Sequence, residues 1–280
     1  MRSDEKRTFY YQANANSLGG SIAMPFQEII PSQASVSLPS VGGFATARTE
    51  AFNFKEIISC RAAYTRVSGR QIAKDGPWSI TATAVVEGLR ILDVFSAERI
   101  VAQVSVEYPR DDSYLKVSLA GSSFDSLRLG GCDATPTLNS RLLCGARTPI
   151  TYPVFLQTGR DQADRLISSI RAHENGNDFQ WLIDRFGWMA SDRELGEDEC
   201  VLSSFVDGVQ GPDGVRRPIP GTSFGHAVEI PDFGSIFLGE TLVCRSSVQA
   251  SSFRIELGCG TSGCASGPAV QVQGVGVPPS

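Results

Sequence analysis

The chain has 280 residues, 41% hydrophobic and 20% charged, a balance that supports a folded core and lies far from disordered compositions. Lysine plus arginine number 25 against 30 acidic side chains, a net charge of −5 with a pI near 5.2, which argues against a basic nucleic-acid footprint. No apolar run approaches the roughly 20 residues that a membrane-spanning helix needs.

The start, Met1 to Arg7, is charged, and Thr8 to Gly20 is aromatic and polar rather than a continuous apolar stretch. It does not read as a signal peptide, so a cytoplasmic location is the default expectation; export by a route without a cleaved signal is the alternative.

Residues 8 to 130 read as strands. Ser35 to Leu38 alternates polar and apolar and is stopped by Pro39, Gly42 and Gly43. From Trp78 to Val86, Trp78, Ile80, Ala82, Ala84 and Val86 fall on one face, with Ser79, Thr81 and Thr83 on the other. That is the period-2 pattern of a half-buried strand. Ile100 to Val106 repeats it, and Tyr114 to Leu119 and Phe124 to Leu129 follow at short spacing. Such spacing predicts a sandwich or barrel. Ser96 to Glu98 is expected to form at most one helical turn, and 133 to 153 to be loop.

Two amphipathic helices come next. Ala163, Leu166, Ile167 and Ile170 make one apolar stripe, and Thr158 with Asp161 resembles a capping box at its start. Phe179, Leu182, Ile183 and Phe186 make the second stripe, with Asn177 as N-cap and Gly187 as stop. The short link Glu174 to Gly176 predicts an antiparallel pair. An acidic stretch, Asp192 to Glu199, precedes the apolar segment Val201 to Val206 and a turn-rich loop. Strands are expected again at Ser235 to Leu238, Thr241 to Cys244 and Ser252 to Leu257. Gly260 to Ser280, rich in Gly, Ser and Pro, is expected to be a flexible tail.

The chain is therefore expected to be mainly β. A discontinuous β-sandwich-like domain over 8–132 and 224–258 is divided by an insertion, 133–223, carrying two amphipathic helices. The tail occupies 260–280.

Motifs for chemistry are incomplete. Gly221-Thr222-Ser223-Phe224-Gly225 has the spacing of a nucleophile elbow, but prolines precede it, no helix follows, and His226 is the only histidine downstream. A loop is expected there. His173-Glu174 opens like a zinc-protease motif without its second histidine. The acidic stretch lacks the ligand spacing of a calcium loop. No glycine-rich nucleotide motif appears. No catalytic, cofactor or metal residues are assigned. Glu87 and Glu107, at strand ends, are the one carboxylate pair left to check as acid and base.

The seven cysteines cannot all pair within the chain. Most are expected to be small buried thiols. Cys259 and Cys264 are the exception, since glycines between them allow a disulfide or half of a metal site. Phe179, Trp181, Phe186 and Trp188 exceed what one helix face buries. They are read either as core or as a partner surface.

Ala34 to Gly43, Val85 to Leu92 and Val117 to Phe124 resemble segments of uncharacterised bacterial β-rich proteins with no assigned activity. The resemblance implies a bacterial source and transfers no functional residue. The leading expectation is a non-catalytic structural or binding protein, a subunit of a bacterial assembly, with a protein partner or self-association, no nucleic acid and no membrane span. The alternative is a carboxylate-dependent hydrolase or carbohydrate-active enzyme on the same sandwich.

Overall fold

The computed structural model describes residues 8–74, 76–111, 113–143, 150–190, 199–211, 219–258 and 260–277. The protein is mainly β, with two large antiparallel sheets, a two-stranded ribbon that pairs Thr135–Leu138 with Val206–Gln210, and a short helical region. The sheets split the chain by sequence. The second sheet uses strands between Gly43 and Asp133, while the first takes strands from both ends, Thr8 to Ser37 and Val201 to Val277.

The alternation read from Trp78 to Val86 extends as a 14-residue strand to Ile91 and pairs with the equally long Phe95–Tyr108. Ser96 to Glu98, expected as a helical turn, is the start of that second strand. Phe95 and Ala97 are buried on its inner side, so burial overrides a weak local helical preference. Ala62–Gln71 flanks the pair, and Gly43–Thr49 closes that edge, paired on one side only among the described residues. Inward side chains such as Ile80, Val86, Val104 and Val106 meet Leu18, Ile236, Phe253 and Val272 of the first sheet in one core. This is the face-to-face packing of a sandwich.

The largest departure lies at the C-terminus. Ser262–Val277, expected as part of a flexible tail, is a 16-residue strand in the middle of the first sheet. It pairs with Ser247–Gly258 on one side, and with both Thr8–Asn16 and Leu18–Met24 on the other. Ala265, Val270 and Val272 enter the core, and the glycines serve close approach. A Cβ at Gly267 would lie 2.2 Å from the Ser17 carbonyl oxygen. Gly- and Ser-rich composition thus marks tight packing here rather than disorder. Residues 278–280 of the expected tail lie outside the described residues.

The insertion is also narrower than expected. Val201–Ser204 and Thr222–Phe224 already belong to the first sheet, the former paired with the end of Gly234–Val243. Residues 132 to 143 hold two short strands and a four-residue helix instead of loop. The first long helix begins at Tyr152, not near Thr158, because Pro153 sits in its opening turn, where its fixed φ suits a helix start. Thr158 is therefore buried mid-helix and caps nothing. The second helix, Gln180–Phe186, is short and flanked by 3₁₀ turns; Asn177 lies inside the leading turn rather than capping it.

The helices lie on the outer face of the first sheet. Leu166, Ile167, Ile170, Leu182 and Phe186 pack onto Phe224, Ala227 and Phe237. Gly159 allows the close approach, since a Cβ there would lie 2.3 Å from the Leu202 carbonyl oxygen. The Gln162 side-chain amide then donates to the Ser204 carbonyl at 2.7 Å and accepts from the Ser204 N–H at 2.8 Å.

The cysteines also differ from what the sequence predicts. Cys200 and Cys244 form a disulfide one step beyond the Val201–Val243 pair, with Cα atoms 4.2 Å apart. Cys60 is a buried thiol, as expected, but Cys132 is exposed. Cys264 is exposed on the C-terminal strand beside the Ser21 hydroxyl; its expected partner Cys259 lies outside the described residues. So do Asp192 to Asp198 of the acidic stretch, leaving only Glu199 described.

Candidate functional site

The strands of the second sheet end in a cleft of about 460 Å³. Four segments build it. Ser59, Cys60 and Arg61 lead into the Ala62–Gln71 strand. Gly88 to Arg90 and Ser96 to Glu98 come from the two long strands near their shared hairpin, and Ser126 and Arg128 close the side. Gly88 makes the geometry possible. Its φ is +60, and a Cβ there would lie 2.9 Å from the Arg61 Cβ. A side chain would both strain the backbone and push Arg61 aside.

Charge dominates the lining. Arg61 binds Glu98 at 2.8 Å and reaches Glu87 at 3.8 Å. The hydrogen bond to Glu98 raises the Arg61 pKa further, so the guanidinium is permanently charged. Arg128 pairs with Asp133 at 3.2 Å and donates to the Gly131 carbonyl at 2.7 Å. Arg90 is exposed and has no ion-pair or hydrogen-bond partner among the described residues. The cleft's own lining thus holds three guanidinium groups and one carboxylate, with Ser59, Ser96 and Ser126 as small polar side chains between them. Cys60 touches the cleft but is only 4% exposed, and burial pushes its thiol pKa up, away from the reactive thiolate.

This arrangement can hold an anion. Arginine forks match carboxylate and phosphate oxygens in bidentate fashion. A general base is harder to find here: Glu98 is engaged by Arg61, and both histidines lie beside the helical layer on the opposite sheet.

The expected site residues scatter. Glu87 and Glu107 stand on paired strands, opposite Arg99 and Ser79 respectively. Eight residues separate those rows, roughly 26 Å along a strand, so the two carboxylates cannot share a reacting bond, and neither lines the cleft. Ser223 lies in a β-hairpin whose turn is Gly225-His226, not on a strand-to-helix elbow. His226 is buried with its Nε2 lacking a hydrogen-bond partner among the described residues, its ring 5.2 Å from Phe186, and burial lowers its pKa. His173 stands edge-on to Phe179 and Phe224. No group of three metal-ligating side chains occurs among the described residues.

Of the four helix aromatics, Phe186 is buried on Phe237, Phe179 packs on Phe224 at 4.9 Å, and Trp188 joins the main core. Trp181 is the most exposed of the four, at 36%, with its ring edge toward Phe237. No motif marks the arginine cleft, because its residues come from four segments and no fixed spacing links them. The signal present was Gly88 interrupting an otherwise strand-forming run.

Fold and cleft together define an antiparallel β-sandwich with one helix-covered face and a cationic cleft on the other sheet. The family described as Domain of unknown function (DUF8256) matches residues 9–244, and the chain belongs to it. No curated protein and no solved structure matches the chain. Among the described residues, no helix is long and apolar enough to cross a membrane.

Proposed function

We propose that the chain is a non-catalytic binding protein, a subunit of a bacterial assembly, that holds an anionic group in the arginine cleft. The observation that carries this reading is Arg90, an unpaired guanidinium facing the same cleft as Arg61 and Arg128. Leaving a cation without a counter-charge beside two others costs repulsion that a bound anion would relieve. The volume suits a small ligand or the end group of a larger one. The Cys200–Cys244 disulfide supports the extracellular alternative for its location, since such bonds persist in oxidising compartments. Self-association is supported by the one-sided edge strand Gly43–Thr49, where Phe44 is 73% exposed.

Calorimetric titration with glucuronate and with inorganic phosphate tests the reading. One of them binds the native protein, and Arg90→Glu weakens that binding at least about ten-fold, as loss of a charge-assisted contact requires. Equal binding by the variant, or no binding of either anion, overturns it.

A further inference from the structure

We infer that the uncovered outer face of the second sheet is a track for a linear acidic polysaccharide whose charged end sits in the arginine cleft, an inference that rests on the anion reading above. The outward row of Ala62–Gln71 presents Arg66 and Arg70, both exposed and without a partner among the described residues. Arg66 stands opposite Thr83 and Arg70 opposite Ser79 on the neighbouring strand, which carries Arg90 at its far end. Three unpaired arginines therefore lie along one strand direction. Arg66 and Arg70 are roughly 13 Å apart, and Arg90 is roughly 23 Å beyond the Arg66 row. Cations that structure requires are normally paired; these are not, and they share one face.

The surface between Arg66 and Arg70 is polar in a particular way. Thr83 is flanked by Arg66 on one side and Gln103 on the other, and Thr81 faces Ser105 within hydrogen-bond distance. Hydroxyl and amide groups of this kind exchange hydrogen bonds with sugar hydroxyls, while arginine forks take carboxylates. The exposed ring of Phe44, across from Ser68, offers an apolar plane for a sugar's C–H face at the outer end of the row.

A nucleic acid fits less well. A duplex carries one charge per about 1.7 Å of axis, whereas the unpaired arginines are several times more widely spaced. Glu87 and Glu107 lie on the same face and would repel a dense phosphate backbone. A polysaccharide with a carboxylate on every second sugar has sparser charge and many neutral hydroxyls, which is the chemistry this face presents.

Hyaluronan oligosaccharides, with a uronate on alternate sugars, test the inference by interferometry. The dodecasaccharide binds the native protein at least about ten-fold tighter than the tetrasaccharide, because only the long chain reaches past the cleft. The double variant Arg66→Glu/Arg70→Glu loses that length advantage and keeps tetrasaccharide binding; Arg90→Glu weakens both. Equal affinity for the two lengths, or a double variant with its length advantage intact, overturns the track and leaves the cleft standing. Failure of both lengths, with glucuronate still bound, also overturns the track. Failure of every anion overturns the cleft first. Tighter binding of single-stranded DNA of matched length than of the dodecasaccharide overturns the polysaccharide assignment.

Discussion

The two outer faces of this sandwich are treated in opposite ways. On the first sheet, Phe224, Ala227 and Phe237 point outward and are sealed by the helices. On the second, the equivalent outward positions carry Arg66, Arg70, Thr81, Thr83 and Gln103, and no described helix covers them. An apolar outer face must be covered, and the insertion between the two halves of the first sheet supplies the cover. A polar outer face needs no cover and stays free to meet a ligand. The helical aromatics, which invite reading as a partner surface, are thus mostly spent within the molecule. Phe237 shows how completely: it is fully buried, with Arg254 over one part of its ring at 4.1 Å, Arg185 at 4.7 Å and the edge of Trp181 beyond. Arg254 is in turn held by Glu240 through two hydrogen bonds of 2.8 and 2.7 Å.

The sharpest way to break this contrast is to truncate a residue on each face. Phe237→Ala leaves a cavity beneath the helices and is expected to cost about 3–5 kcal/mol. Arg66→Ala, on the bare face, is expected to stay within about 0.5 kcal/mol. Urea denaturation of the two variants against the native protein measures both. Similar losses at the two positions would mean that the outer face of the second sheet is structural after all.

A smaller effect is expected from the disulfide. Cys200–Cys244 ties the chain, as it leaves the helical cover, to the end of Gly234–Val243, closing a segment with a sequence separation of 44. Replacing both cysteines by serine is expected to cost about 2–4 kcal/mol, mostly by freeing the unfolded chain. Ligand binding at the cleft should not change, since the bond lies on the other sheet. Thermal melts of native and variant protein, each with and without reductant, check this. Reductant should lower the native melting temperature only. A native protein indifferent to reductant would show that the bond contributes nothing to holding the cover.

Most of the framework was legible because period-2 burial is written in neighbouring residues. Trp78 to Val86 and Ile100 to Val106 announce their inward faces, and the Leu166-Ile167-Ile170 stripe announces the first helix. What was missed depends on pairing across the chain. Val270-Gln271-Val272-Gln273 alternates plainly, yet the glycines around it mimic a loose tail until the Ser17 carbonyl is seen to need Gly267 bare. Cys200 and Cys244 become partners only through the register of Val201 with Val243. The cleft was hidden for the same reason. Arg61, Arg90 and Arg128 meet because a left-handed glycine at 88 and a sheet register bring them together, and neither leaves a motif.

The smallest effect, and the one that separates the two faces most cleanly, is expected from pH. His226 lies under the helical cover, its ring against Phe186, and burial depresses its pKa below the ordinary 6.5. Among the charged groups around it, Glu240 and Asp207 favour the protonated form, Arg254 and Arg185 oppose it, and burial outweighs them. A histidine with a lowered folded pKa binds fewer protons folded than unfolded. Its contribution is therefore fully present above pH 6.5 and is lost as pH falls from 6.5 toward the folded value, with a slope of at most about 1.4 kcal/mol per pH unit. The cleft lies on the other sheet, away from His226, so its affinity should stay flat where stability declines. Denaturation midpoints between pH 5 and 7, measured for the native protein and for His226→Phe, check the assignment: the variant's stability should lose the slope that the native protein shows. If the slope persists in the variant, some other group drives the acid sensitivity. If instead cleft affinity falls in step with stability, the covered and bare faces are coupled, and the division of labour between them fails.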